Sequence, residues 1–196
     1  MQLMRRPLGG ATESMQGGSQ DMAGHIKWAD RRFQFTFPVG THPELIERLR
    51  GTPARLAERL TAVPANHLVQ RRGRGWSMQE HAGHLADLDE TLFLRRLDDY
   101  DHAVPILRAA DMTNAGTEAA QHNRRPLAAV LDGCRTVRGR LVTRLEGLEA
   151  EAFARVAQHP RLQCPMRLVD MLFFHAEHDD YHLARITELR RSPGAT

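Results

Sequence analysis

The chain has 196 residues, 41% of them hydrophobic and 26% charged, which fits one globular domain and excludes a disordered or collagen-like protein. Its 27 basic and 24 acidic residues leave a net charge of +3, too small to predict binding to nucleic acid. No apolar run approaches the roughly 18 residues of a membrane-spanning helix, and we expect no membrane partner. Cys134 and Cys164 follow no metal or redox spacing. Because the first residues also lack the apolar stretch of a secretory signal, we expect a cytoplasmic protein.

The N-terminal part of the sequence changes character near residue 25. Residues 1–24 combine glycine, serine, glutamine and methionine without periodicity, which predicts a disordered leader. A chain that begins at Met22 is therefore expected to fold like the full one. Residues 25–191 are predicted to form the folded domain, and residues 192–196 a tail. Within the domain, residues 26–39 carry aromatic residues with partial alternation, typical of a short strand or of an extended segment against the core.

Two long helices are predicted to follow. Pro43 lies in the first turn of the first helix, and its leucine stripe indicates a helix that is interrupted or bent near Gly51. The second helix is marked more clearly, because Ser77 and Glu80 have the spacing of a capping box. Leucines at helical spacing then continue to about Tyr100.

The remaining helices complete a bundle. A polar section holds a short predicted helix near residues 117–121, and Pro126 then opens the third long helix. A loop with two prolines leads to the fourth helix, from about Arg167 to Arg190. Four long amphipathic helices without convincing strand alternation predict an all-α four-helix bundle, with short extra helices and an extended N-terminal segment.

The sequence contains 11 histidines, and their positions are informative. His178 and His182 are four residues apart on the fourth helix, a spacing at which two imidazoles can bind one transition metal. His175 lies within the same arc, while His81 and His84 lie among the leucines of the second helix. An isolated HxxxH pair is more often hydrogen-bonded without a metal. Inward histidines on two helices instead predict a shared metal, which can satisfy several buried imidazoles at once.

Two segments resemble a known family. GWSMQEHAGHLADLDETLFLRRL is similar to the second helix, and FFHAEHDDYHLARITELR to the fourth helix, of the DinB-like superfamily, also called YfiT-like. The resemblance spans about residues 26–191 and implies a four-helix bundle of the DinB/YfiT type that holds a divalent metal with three histidines. The family's GHL and HxxxH motifs fall on His84, His178 and His182. His81 and His175 lie outside this pattern.

Other polar residues are candidates for the surroundings of the metal. Asp87 follows His84 by three residues and could accept its second ring N–H, or could equally be a solvated carboxylate, as could Asp179. The segment between the second and third helices has residues typical of caps and turns, which could also line the mouth of the pocket. The candidates for the metal's surroundings or its pocket are Asp87, His175, Asn114, His122 and Asn123.

The resemblance implies an activity only loosely. Characterised relatives include bacillithiol S-transferases and a mycothiol-dependent maleylpyruvate isomerase, so we expect a metal-dependent transferase that joins a low-molecular-weight thiol to an electrophile. A metal-binding stress protein without catalysis and a metal-dependent hydrolase are the alternatives. Three imidazoles accept zinc, nickel, iron, copper or manganese. The aromatic residues of segment 26–39, together with the resemblance, also predict a homodimer.

Overall fold

The computed structural model describes residues 26–191, so the predicted leader over residues 1–24 and the tail over residues 192–196 lie outside the described residues. Contacts divide the chain into a short unit that ends at Gln34 and a larger unit from Phe35 onward. In the short unit a 3-10 turn spans Trp28–Asp30. The rings of Trp28 and Phe33 lie 5.1 Å apart within this unit.

The larger unit is mainly helical, which confirms the predicted fold class. The first predicted helix is two helices that meet at Gly51, and the second is two helices joined by a π-turn, Asp89–Phe93. Short 3-10 turns span Val39–Thr41, His122–Arg124 and Ala150–Ala154. None of the described helices is long and apolar enough to cross a membrane. The α-helices are α1 (His42–Arg50), α2 (Thr52–Leu60), α3 (Ala65–Leu68), α4 (Met78–Leu88), α5 (Leu94–Asp101), α6 (Ala115–Ala120), α7 (Leu127–Glu146) and α8 (Leu168–Arg191).

The start of α4 is set by the predicted capping box. The Ser77 hydroxyl oxygen accepts a hydrogen bond from the Glu80 backbone N–H at 3.1 Å, and the Ser77 N–H donates to Glu80 Oε2 at 2.9 Å. These two bonds satisfy backbone donors that a helix otherwise leaves unpaired at its N-terminus. The cap therefore fixes where α4 begins, and with it the positions of His81 and His84 in the first two turns.

A short β-hairpin replaces the loop that the sequence predicts between the third and fourth long helices. Strand β1 (Val156–His159) pairs antiparallel with β2 (Cys164–Arg167). Each strand has four residues, too few for alternation of hydrophobicity to stand out, and Pro165 within β2 weakens the pattern further. The hairpin leads directly into α8.

The centre of the bundle contains a buried ionic cluster around Arg138 of α7. Its guanidinium donates to Asp89 Oδ2 at 2.7 Å, to Asp179 Oδ1 at 3.1 Å and to the carbonyl of Leu49 at 2.9 Å. The Thr52 hydroxyl donates to Asp179 Oδ2 at 2.7 Å. Burial works against charge on Arg138, but the two carboxylates outweigh it and raise its pKa further. The cluster thus connects α1, α2, the π-turn, α7 and α8.

Replacing Arg138 by methionine is expected to lower the free energy of unfolding by about 3–5 kcal/mol, because two carboxylates remain buried without a cation. Urea denaturation followed by circular dichroism measures this change. The control is Arg135→Met on the same helix, where the side chain is 64% exposed and pairs with Asp132. There we expect a change within about 0.5 kcal/mol. Equal effects of the two substitutions would contradict a stabilising role for the cluster.

Candidate metal centre

The structure brings together the three histidines that the sequence predicts as metal ligands. His84 lies on α4, and His178 and His182 lie one turn apart on α8. One nitrogen from each ring lies within 4.8 Å of the other two. All three residues are at most 5% exposed. The three imidazoles therefore meet at one point between α4 and α8, inside the bundle.

Hydrogen bonds indicate which ring nitrogens face this point. His84 Nδ1 is bonded to the hydroxyl of Thr117 at 2.9 Å, and His182 Nδ1 to Nδ1 of His81 at 2.8 Å. Since these Nδ1 atoms are engaged, the Nε2 atoms of His84 and His182 are left for a ligand. His182 Nε2 lies 3.1 Å from His178 Nε2, close enough for both to bind one ion at about 2.0–2.1 Å.

The surroundings keep these rings neutral. Burial lowers the pKa of His84 and of His178 to about 3 in each case, and it lowers the pKa of His182 well below its ordinary value. Positive charge on neighbouring imidazoles adds to this effect at His84 and His182. A neutral imidazole offers the lone pair that a metal requires, so the pocket holds its histidines in the binding form.

Two aromatic rings flank the three imidazoles. The indole of Trp76 lies 4.6 Å from the ring of His84 and 6.1 Å from that of His182, and it donates from Nε1 to Glu118 Oε1 at 2.9 Å. On the other side, the ring of Phe93 lies 6.3 Å from that of His178. Sequence reasoning missed Trp76, whose only signal is its position directly before the capping serine.

Two of the candidates for the surroundings of the metal, Asp87 and His122, pair with each other. Asp87 Oδ2 lies 2.7 Å from His122 Nε2. The hydrogen bond at His84 Nδ1, one of the two roles that the sequence left open for Asp87, is made with the Thr117 hydroxyl. The His122 ring packs directly on α4 at Gly83, where a Cβ would lie 2.2 Å from His122 Cγ. Only the absence of a side chain at position 83 allows this contact.

The other flanking candidates lie outside the site. Asn123 accepts a hydrogen bond from the Ser77 hydroxyl at 2.6 Å and so supports the cap of α4. Asn114 is exposed and starts α6 in the left-handed conformation, with φ of 59°. His175 and Asp179 belong to the Arg138 cluster, because Arg138 Nη2 lies 3.1 Å from His175 Nε2 and 3.1 Å from Asp179 Oδ1. The interpretation of Asp179 as a solvated carboxylate is wrong, since it is fully buried.

His175 lies in the Arg138 cluster, near the three imidazoles of the candidate metal centre. Its Nε2 lies 2.9 Å from Asp89 Oδ1 and 3.1 Å from Nη2 of Arg138. Its ring is stacked on Phe93 with centroids 3.5 Å apart. Phe93 thus lies close to one histidine of the ionic cluster and to one histidine of the candidate metal centre.

A sequence model of the DinB superfamily matches residues 48–186, which include α4, most of α8 and all three histidines. The chain belongs to the DinB superfamily. This DinB protein is 30% identical over 118 residues to a candidate metal-dependent hydrolase of Bacillus pumilus (strain SAFR-032), a match that spans 60% of this chain and 66% of that relative. It is 26% identical over 150 residues to the candidate metal-dependent hydrolase YfiT of Bacillus subtilis (strain 168), spanning 76% and 84% of the two chains.

The solved structure of YfiT, described as an unusual four-helix bundle, has the same fold as this DinB protein. The two structures superpose with a TM-score of 0.71 at 23% sequence identity, and the match covers 82% of this chain and 92% of YfiT. The four-helix arrangement predicted from the sequence is thus the arrangement of a known member of the family.

Replacing Gly83 by alanine is expected to push the His122 ring off α4 and to lower the free energy of unfolding by about 1–3 kcal/mol, the typical result of overpacking. The control is Gly139→Ala on α7, where a Cβ meets nothing within 4 Å. That substitution is expected to raise stability by about 0.5–1 kcal/mol, because alanine favours a helix. Urea unfolding of the metal-free proteins tests both, and a stabilised Gly83→Ala variant would refute the packing argument.

Proposed function

We propose that this DinB protein binds a divalent metal through His84, His178 and His182 and uses it to activate a small nucleophile. The observation that carries the proposal is the meeting of three buried, neutral imidazoles from two helices, with their nitrogens within 4.8 Å. Burying three imidazoles is costly unless their nitrogens are satisfied, and one ion satisfies all three. The names of the two Bacillus relatives, both candidate metal-dependent hydrolases, support the same conclusion.

Three protein ligands suit a reactive metal better than a structural one, since a structural site is usually closed by four. When bound, the ion supplies Lewis acidity, which favours the deprotonated form of a nearby water molecule or thiol. The three imidazoles would hold the ion, and the rings of Trp76 and Phe93, which lie 4.6 Å from His84 and 6.3 Å from His178, would limit the access of water to it. Zinc, nickel, iron, copper and manganese all suit imidazole ligands, so elemental analysis of the purified protein is the means of identifying the metal.

The nucleophile we propose is a low-molecular-weight thiol, which the protein would join to an electrophile. The chain's own cysteines are unsuited to this role. Burial raises the pKa of the Cys134 thiol to about 12, and it also raises the pKa of Cys164. Neither is therefore a thiolate near neutral pH, and a thiolate nucleophile has to come from a separate molecule.

Hydrolysis is the second candidate, because the names of both Bacillus relatives give this activity. The same three imidazoles suit it, with water in place of the thiol. A metal-binding stress protein without catalysis is the third candidate.

The homodimer and the cytoplasmic location stay predictions. In the larger unit, the rings of Phe35 and Phe37 lie 6.4 Å and 5.2 Å from the ring of Phe173 on α8. These two residues thus pack on α8 within one chain, as the sequence predicts for an extended segment against the core. Light scattering over a wide concentration range tests the dimer.

Alanine at His84, His178 or His182 is expected to abolish stoichiometric metal retention, since each substitution removes one of three ligands. The control is His67→Ala, at an exposed residue of α3. Metal content after dialysis, measured by plasma emission spectroscopy, reports retention, and circular dichroism reports folding. The proposed site is wrong if folded single variants keep the metal content of the His67→Ala control.

Product formation is expected to require both the metal and an added thiol. Metal-loaded protein is mixed with electrophilic acceptors and with ester or amide substrates, each with and without a panel of small thiols. A hydrolase would cleave the ester or amide substrates without any thiol. Reactions that omit the thiol therefore distinguish a hydrolase from a thiol transferase. If neither reaction is accelerated, the non-catalytic metal-binding protein becomes the better interpretation.

A further inference from the structure

Two neighbouring side chains connect helix α6 to the candidate metal centre, one of them buried and the other exposed. Thr117 is buried, and its hydroxyl oxygen lies 2.9 Å from His84 Nδ1. Glu118 is exposed and accepts the indole N–H of Trp76, whose ring lies against His84 from outside. Helix α6 thus contacts His84 directly through Thr117, and indirectly through the hydrogen bond of Glu118 to Trp76.

We propose that Thr117 is a positioning residue of the metal centre: its hydroxyl holds Nδ1 of His84 and so directs Nε2 at the ion. The proposal rests on the proposed function. A neutral imidazole has one N–H donor and one lone pair. When Nδ1–H donates to the Thr117 oxygen, the lone pair lies on Nε2, the nitrogen that is left to face His178 and His182. The threonine thereby fixes the orientation of the ring, and its hydroxyl oxygen can accept from the tautomer whose Nε2 lone pair is available to an ion.

The position of Thr117 is itself held by ion pairs around α6. Glu118 binds Trp76 and also pairs with Arg71 at 2.7 Å, and Arg71 Nε donates to Glu80 Oε1 at 2.9 Å. Glu80 belongs to the capping box of α4, the helix that carries His84. Consequently α6 is anchored to the beginning of α4, and the hydroxyl of Thr117 is held at a constant place relative to the His84 ring.

Two substitutions separate the hydroxyl from the shape of the side chain. Thr117→Val keeps the branched shape and removes the hydroxyl, whereas Thr117→Ser keeps the hydroxyl. The matched control is Thr187→Val on α8, where the hydroxyl donates to the carbonyl of Leu183 at 2.9 Å. Thr117→Ala, which also lacks the hydroxyl, serves if the valine variant fails to fold. Circular dichroism and thermal unfolding of the metal-free proteins report folding.

Zinc affinity, measured by competition with a chromophoric chelator, is the first readout, and the visible spectrum of the cobalt-loaded protein is the second. We expect Thr117→Val to weaken zinc binding by about 10–100-fold and to change the cobalt spectrum, as loss of an outer partner of a metal-bound histidine does. Thr117→Ser and Thr187→Val are expected to stay close to the parent protein in both readouts.

Unchanged affinity and an unchanged cobalt spectrum in the folded valine or alanine variant would overturn the role of Thr117 while leaving the metal site standing. An equal loss in the serine variant would also overturn it, because the hydroxyl would then not be the cause. A parent protein that binds neither zinc nor cobalt would overturn the proposed metal site itself, which distinguishes the two failures.

Discussion

One buried guanidinium determines how the helices of this bundle meet. Arg138 is 1% exposed, and it is paired with Asp89 and Asp179, which are fully buried. Removing these charges from water is costly, and the arrangement is stable only while every partner keeps its place. Asp179 directly follows His178, and Asp89 begins the π-turn at the end of α4. The cluster therefore contacts α8 directly beside His178 and the chain directly after α4, the two helices that carry the histidines of the candidate metal centre.

The candidate metal centre lies between the ionic cluster of the core and the segments that carry Trp76 and α6. Toward the core it meets Phe93 and the Arg138 cluster, and toward the surface it meets Trp76 and α6. Polar loops beside a packed core are where specificity for a reactant is commonly set. Under the proposed function, a bound metal would supply the same activation for hydrolysis and for thiol transfer. The nucleophile, water or a thiol, would then decide which reaction follows.

Much of the fold and two of the three candidate ligands could be predicted from the sequence, because they depend on spacing within single helices. The box formed by Ser77 and Glu80 marks the start of α4 wherever that helix packs. Likewise, the four-residue interval between His178 and His182 places both rings on one face of α8. The family motifs then joined His84 to this pair, which spacing within α8 alone could not have done.

What the sequence by itself determined is thus where the long helical segments lie in the chain and which residues share a face of each segment. Only the tertiary structure decided which elements those side chains meet. Thr117 lies 33 residues from His84, and the pairing of Asp87 with His122 spans 35 residues. Both contacts depend on how α6 and its following turn dock on α4 at Gly83. The physical reason is that a helical repeat fixes angles around one axis, whereas contacts between helices depend on packing and on buried charges, which local periodicity does not specify.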